Sequence, residues 1–321
     1  GGQAGDKGVI TIGESTFEVS NTTKDADGVV LHHGTLTGDA IKVGDNATTV
    51  YDVENRKATM RNHTAAHLLQ AALRSVLGTH VEQAGQLVDA NEVRFDFTHF
   101  TGMTGDELKK VEDLVNEEIL NATEMLVKEM PIDEAKAMGA MALFSEKYGD
   151  TVRVVNMGGY SIELCGGTHL DNTAKVGPFR IVSEASVASG VRRIEAITGK
   201  AFLNDAAKTR DLVSNVCAAV KVKNPAELED KLNAQLEEVK QLKKEIEQFK
   251  AKEAAGAVDQ MLSGAAQVGA VKVLTVNVPG ADAGKLRQMG DVLRDKDASV
   301  VAVLASVNGD KLTFLAVCGK D

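Results

Sequence analysis

The sequence has no tryptophan, and aromatic residues make up only 4% of its 321 positions. The core must therefore be built from aliphatic side chains, and a hydrophobic content of 43% supplies enough of them. The three cysteines, Cys165, Cys217 and Cys318, are far apart and odd in number, which excludes a disulfide framework and agrees with a reducing compartment. There is no apolar run of about eighteen residues, the minimum for a membrane-spanning helix. The opening GGQAGDKG lacks the charged and then apolar regions of a signal peptide. The expectation is a soluble, cytoplasmic protein with no membrane partner. Positive charge is also in deficit, with a formal net charge of −10. That argues against a general nucleic-acid or DNA binder, which needs a basic surface to neutralise phosphates, but leaves room for a local basic patch. No serine or cysteine nucleophile with a paired base is evident. The length suits two or three domains.

What is present is a pair of matched spacings. In NHTAAHLLQAALRSVLG, His63 and His67 are four residues apart, and Leu68, Leu69, Ala72, Leu73, Val76 and Leu77 recur with helical period. Both imidazoles therefore leave one face of one helix. In ELCGGTHL, Cys165 and His169 repeat the spacing in a loop that Gly166 and Gly167 allow to bend tightly. One such pair is a weak signal; two pairs supply four candidate ligands, and a nitrogen and sulfur set suits Zn²⁺ better than Mg²⁺ or Ca²⁺. A structural zinc and a hydrolytic zinc both remain open. Structural sites favour several cysteines, whereas a histidine-rich set leaves scope for one ligand to give way to water. Gln83, Gln86, Thr64 and Thr168 are candidates to orient a substrate. Arg192 and Arg193 adjoin in a strand pattern, so one can face a phosphate and the other a carboxylate.

Taken in order, the first fifty or so residues read as short strands, in VITIG, STFEVSNTTK, GVVLHHGTL and AIKVGDNATTVYD, and predict a small β-barrel or folded sheet. GGQAGDKG lacks the spacing of a phosphate-binding loop and on composition reads as a flexible end. His32 and His33 alternate on a strand, one exposed and one packed. From 59 to 199 the pattern is mixed. The histidine helix is followed by a polar turn (EQAGQLVDAN), a strand over 92–97 and a helix over 104–121 with Thr104 and Glu107 as a capping box. A strand over 125–130 and a short helix over 132–138 after Pro131 come next. Strands in VRVVNMG and SIELCGGTHL deliver the Cys/His loop, and PFRIVSEASVASGVRRIEAITG holds two more. The elements interleave without steady alternation, so the fold class is α+β.

Residues 203–255 read as a helical segment of two parts, a preceding helix with Leu212 and Val216 and a second whose start is marked by Asn224 as cap and Pro225 in the first turn. Leu228, Leu232, Gln235, Val239, Leu242, Ile246 and Phe249 form a coiled-coil or helical-hairpin seam of about four heptads, against which Leu212 and Val216 can pack. Gly256 and Gly264 mark its end. An α/β segment follows: strand VKVLTVNV, a helix over 281–294, and strands SVVAVLASV and KLTFLAVC joined by an Asn308-Gly309 hairpin. Its fifty or so residues are few for a finished domain. Cys318 reads as a packed thiol.

NHTAAHLLQAALRSVLGTHVEQAGQLV, VRFDF, MALFSEKYGDTVRVV, ELCGGTHL and GVRRIEAITG resemble the editing domain of bacterial alanyl-tRNA synthetases. The later segments resemble the helical linker and C-terminal tRNA-binding domain of the same family. The resemblance implies a β-rich subdomain over 1–58, a zinc-dependent editing domain over 59–202, a helical coiled-coil linker over 203–256, and a tRNA-binding and dimerisation domain over 257–321. It implies that His63, His67, Cys165 and His169 bind Zn²⁺, that Gln83 acts in editing, and that the glycine-rich start, Gly1, Gly2 and Gln3, lines the pocket. The reaction implied is hydrolysis of Ser-tRNA(Ala) and Gly-tRNA(Ala). The partner is tRNA(Ala), held in part by Arg192 and Arg193, with a homodimer formed through the C-terminal region. ATP-dependent aminoacylation domains are expected before Gly1 and a closing segment after Asp321, so this chain alone is expected not to activate alanine. The rival is a non-catalytic tRNA-binding or dimerisation fragment with a structural zinc. The family often has threonine immediately before the second histidine; here that position is Ala66, so Thr64 or Gln83 is expected to recognise serine instead.

Overall fold

A computed structural model describes residues 2–141 and 149–321. The chain is α+β and divides into two compact units, Gly1–Leu212 and Val213–Asp321.

The first unit begins with β1 (Gly8–Ile12), β2 (Ser15–Lys24), β3 (Val30–Thr37) and β4 (Thr48–Tyr51), then the long helix α1 (Val53–Leu77). The four strands form one sheet in the order β3-β2-β1-β4, so β3 and β4 are opposite edges and no barrel closes. β3 is exposed along its whole length. His32 and His33 are accordingly both exposed rather than one being packed; they lie beside Thr22 and Thr23 on β2.

Next come β5 (Gln83–Val88), β6 (Val93–Thr98), α2 (Gly105–Leu120), β7 (Met125–Pro131), α3 (Ile132–Ala137), β8 (Thr151–Met157), β9 (Ser161–Leu164), β10 (Phe179–Ala188) and β11 (Val191–Thr198). The expected polar turn EQAGQLVDAN is largely strand β5: tertiary pairing with β6 overrides a weak local pattern of glycine and glutamine. The expected capping box of α2 is formed by Thr104 and Glu107. Part of the MALFSEKYGDTVRVV stretch lies outside the described residues.

The sheet β10-β11-β6-β5 carries the core. Leu68, Leu69, Ala72 and Leu73 of α1 pack with Phe95, Phe97, Ile194 and Phe179, and with Val111 and Val115 of α2. β7, β8 and β9 form a smaller sheet whose last strand leads into the Cys/His loop. α1 starts at Asp52, whose side chain accepts from the Asn55 N–H. Beside His63, the buried Asn62 ties α1 to two other elements: its Nδ2 donates to the Asp89 carbonyl at 2.8 Å, and its Oδ1 accepts from Thr198 Oγ1 at 2.6 Å.

α4 (Gly199–Ala219) spans the division between the units. The second unit continues with α5 (Leu228–Ser263), β12 (Ala266–Val268), β13 (Val271–Asn277), α6 (Ala283–Lys296), β14 (Val300–Asn308) and β15 (Lys311–Cys318). α5 passes straight through Gly256, because Val258, Met261 and Leu262 bury against the terminal core and outweigh the roughly 1 kcal/mol helix cost of one glycine. Its amino-terminal seam is solvent-exposed, with Leu236 at 66% and Phe249 at 71%; Leu212 on α4 is 62% exposed. β13 and β14 are parallel across the α6 crossover, and β15 returns antiparallel. Gly290 lets α6 approach β15, since a Cβ there would lie 2.7 Å from Val317 and 2.8 Å from Leu315. Val317 faces that core, so Cys318 points to the other side and is exposed, not packed. No helix of the described residues is long and apolar enough to cross a membrane.

Asn62→Ala strands the buried Thr198 hydroxyl and the Asp89 carbonyl. It is expected to cost about 2–3 kcal/mol of stability, read as a lower urea midpoint; a change under about 0.5 kcal/mol refutes the role given to this side chain.

Candidate metal centre

His63 and His67 project from the buried face of α1 toward the loop after β9 that carries Cys165 and His169. The two sequence-distant pairs meet: one ligand atom from each of the four side chains lies within 4.8 Å of all the others. Cys165 Sγ is 3.3 Å from His169 Nε2 and 3.7 Å from His63 Nε2. With zinc–nitrogen bonds near 2.0–2.1 Å and zinc–sulfur near 2.3 Å, a tetrahedral site has edges of roughly 3.3–3.6 Å; the two sulfur–nitrogen spacings stand close to that, and the wider pairs would close in around an ion. Burial holds His63 and His67 down at about 3 and His169 well below its ordinary value, each helped by charged neighbours. Neutral imidazoles are what metal binding requires. The buried Nδ1 atoms of His63 and His67 have no hydrogen-bond partner among the described residues. Burial also pushes the Cys165 thiol up, which makes it a poor free nucleophile.

The loop is pinned from three sides. Arg153 Nη1 donates to the carbonyls of Cys165 at 2.6 Å and Gly167 at 2.8 Å. Gln3 grips Thr168 through both amide atoms, donating to its carbonyl and accepting from its N–H, each at 2.9 Å. Arg56 donates to Asp6 at 2.6 Å, to the Ala4 carbonyl at 2.9 Å and to Thr168 Oγ1 at 3.3 Å. The glycine-rich start is thus no loose end: Gly2 and Ala4 pair with Val88 at the edge of β5. Gly1 lies outside the described residues. Asp6, Tyr51, Arg56, Met60, Arg153, Thr168 and His169 line a cleft of about 380 Å³ against the cluster.

Gln86 Nε2 is 3.5 Å from His63 Nε2. Three residues away on a regular strand, Gln83 would face the opposite side of the sheet. A bulge between Gln83 and Gly85 changes that: Gln83 pairs with Phe97 and Gln86 with Phe95, two residues that share the core face. Both glutamines therefore face α1, and Gln83 Nε2 is buried without a partner among the described residues. Thr64 is completely buried; its hydroxyl accepts from the Leu170 N–H at 3.2 Å and lies 3.4 Å from His169 Nδ1.

Arg192 pairs across the sheet with Phe97 and so shares the face of Gln83, whereas Arg193 opposite Asp96 does not. Both are ion-paired within the chain, Arg192 to Glu184 through two contacts and Arg193 to Asp96 at 2.6 and 2.8 Å. Sequence reasoning passed over Arg56, Arg153, Asp6 and Glu163. Glu163 was readable, because it precedes Cys165 by two on a strand and so shares its side.

The model of the threonyl and alanyl tRNA synthetase second additional domain matches residues 152–195, which include Cys165 and His169. Alanine–tRNA ligases of Methylobacillus flagellatus and Acetivibrio thermocellus are 47% and 46% identical to the chain over 317 and 321 residues, 98% and 100% of its length. The chain is homologous to alanine–tRNA ligases along its whole length. The alanine–tRNA ligase of Clostridioides difficile is 47% identical over 321 residues. The chain spans 36% of the length of each of these three relatives. The segment shared with the ligases contains all four candidate ligands.

A Cβ on Gly167 would stand 2.2 Å from the His63 ring, whereas one on Gly166 meets nothing within 4 Å. Gly167→Ala is therefore expected to displace His63 and weaken zinc binding at least about tenfold, with Gly166→Ala unchanged, as measured by competition with a chromogenic chelator. Equal affinities in the two variants would remove the steric role of Gly167.

Proposed function

We propose that the chain is a zinc-dependent editing module that hydrolyses the ester joining serine or glycine to tRNA(Ala). The observation that carries this reading is the convergence of His63, His67, Cys165 and His169 beside a cleft, in a chain homologous to alanine–tRNA ligases. The substrate choice follows from pocket chemistry. A site built for alanine rejects glycine, or serine with its added hydroxyl, by only a few kcal/mol, so a second hydrolytic site must supply the remaining accuracy.

Those four side chains would hold the ion, and zinc when bound supplies Lewis-acid chemistry and activates water near neutral pH. The chain's own residues do the rest. Of the four side chains His169 lines the cleft, and Cys165 is half-buried while the three histidines are buried. Gln83 and Gln86 present amides on the face that packs against α1, and Gln83, whose buried Nε2 has no partner among the described residues, is the one of the two serine-recognition candidates to which we assign that role. The Thr64 hydroxyl, completely buried and bonded to the Leu170 N–H, instead holds His169 in place. Gln3, Arg56 and Arg153 fix the loop, so the ligands need little rearrangement to act. Arg192 can offer tRNA only the donors that Glu184 leaves free.

One observation favours the non-catalytic reading: four protein ligands complete a closed, structural type of zinc site. Turnover separates the two. The chain incubated with Ser-, Gly- and Ala-tRNA(Ala) is expected to release serine and glycine and to spare alanine, and a chelator is expected to abolish release. Gln83→Ala is expected to slow serine release by roughly 3- to 10-fold, with glycine release little changed and zinc still bound, the loss of one hydrogen bond to the serine hydroxyl. Binding of tRNA without release would establish the structural alternative.

A further inference from the structure

The outer side of the cluster holds a residue with no assigned role. β9 alternates, so Ser161 and Glu163 share one side of the strand, and Cys165 just beyond its end continues it. Glu163 is 3% exposed, and its Oε1 accepts from Ser161 Oγ at 2.8 Å. Its Oε2 lies 3.4 Å from Nδ1 of His67, and both side chains are 5% exposed. That His67 nitrogen is buried with no hydrogen-bond partner among the described residues. A carboxylate and an imidazole N–H, each costly to bury alone, therefore face one another, and a small rotation of either side chain closes the gap to a hydrogen bond.

We infer that Glu163 is a positioning residue: its carboxylate accepts the Nδ1–H of His67 and leaves Nε2 as the ring's donor atom toward Cys165, His63 and His169. Ser161 holds the other oxygen, so the carboxylate cannot swing away. The inference rests on the reading of the four side chains as a zinc site and extends it to a residue that touches neither metal nor substrate. Such outer partners fix the tautomer and orientation of a ligating imidazole and raise its basicity. Thr64 stands in the same relation to His169, with a neutral hydroxyl in place of the carboxylate.

The test measures metal affinity of the full 321-residue chain, with zinc by chelator competition and with cobalt(II) by its visible spectrum. Glu163→Ala is expected to weaken zinc binding about 10- to 100-fold and to shift the cobalt bands. Glu163→Gln, which keeps an acceptor oxygen, is expected to recover most of both. A folded Glu163→Ala chain with wild-type affinity, or a Glu163→Gln chain as weak as Glu163→Ala, overturns the inference. If Glu163→Ala does not fold, Ser161→Ala serves: it frees the carboxylate without emptying its site and is expected to lower affinity in the same direction, and unchanged affinity overturns the inference. A wild-type chain that binds neither metal overturns the zinc reading itself, which keeps the two failures apart.

Discussion

Three buried imidazoles and a half-buried thiol meet where the middle of α1 faces the loop after β9, and burial of so many polar groups must be compensated. Much of the first unit can be understood as meeting that demand. α1 is 25 residues long, and its buried face changes character along the helix, from Asn62, His63, Thr64 and His67 to Leu68, Leu69, Ala72 and Leu73. The apolar half fixes the helix on the sheet through Phe95 and Phe97, and the polar half is thereby held against the loop. Arg153, Gln3 and Arg56 bind that loop from outside through its carbonyls, an N–H and a hydroxyl. Each uses backbone or hydroxyl groups as partners, which leaves the four ligand atoms uncommitted to any strong competing bond.

Charge is distributed in a way the net value of −10 conceals. Arg192 and Arg193, the basic pair most visible in the sequence, are neutralised by Glu184 and Asp96. Arg56 and Arg153, which carry no motif, line the cleft beside His169, where only Asp6 offsets them among the cleft's residues. An anionic ligand that enters meets positive charge at the cleft even though the surface as a whole repels it. Local placement rather than bulk composition sets the potential at a site of this size.

The two halves of the cluster were legible because each is short-range. A four-residue spacing on an apolar-periodic helix fixes His63 and His67 on one face, and glycines beside Cys165 mark a tight loop. That the halves converge is a long-range fact no local pattern carries. The same limit explains the misreadings. QAGQLV looks like a turn until β6 pairs with it; Gly256 looks like a helix end until Val258 is seen to bury; Cys318 and His32 depend on which sheet faces are covered. Local propensity decides only where packing does not.

The bulge at Gln83 and Gly85 is the clearest case of a structural feature hidden from pattern reading. Period-two alternation puts Gln83 and Gln86 on opposite faces, and with strict pairing only one of them could approach α1. One extra residue reverses the parity of the strand between them and brings both amides to the core side, at the loss of regular pairing for a single position. A strand edge is a stiff place from which to present two polar groups, stiffer than a loop, because the remaining ladder from Gln86 to Val88 is intact and Gly2 and Ala4 pair with Val88 on its outer side. The irregularity is therefore held in place by regular structure on both sides.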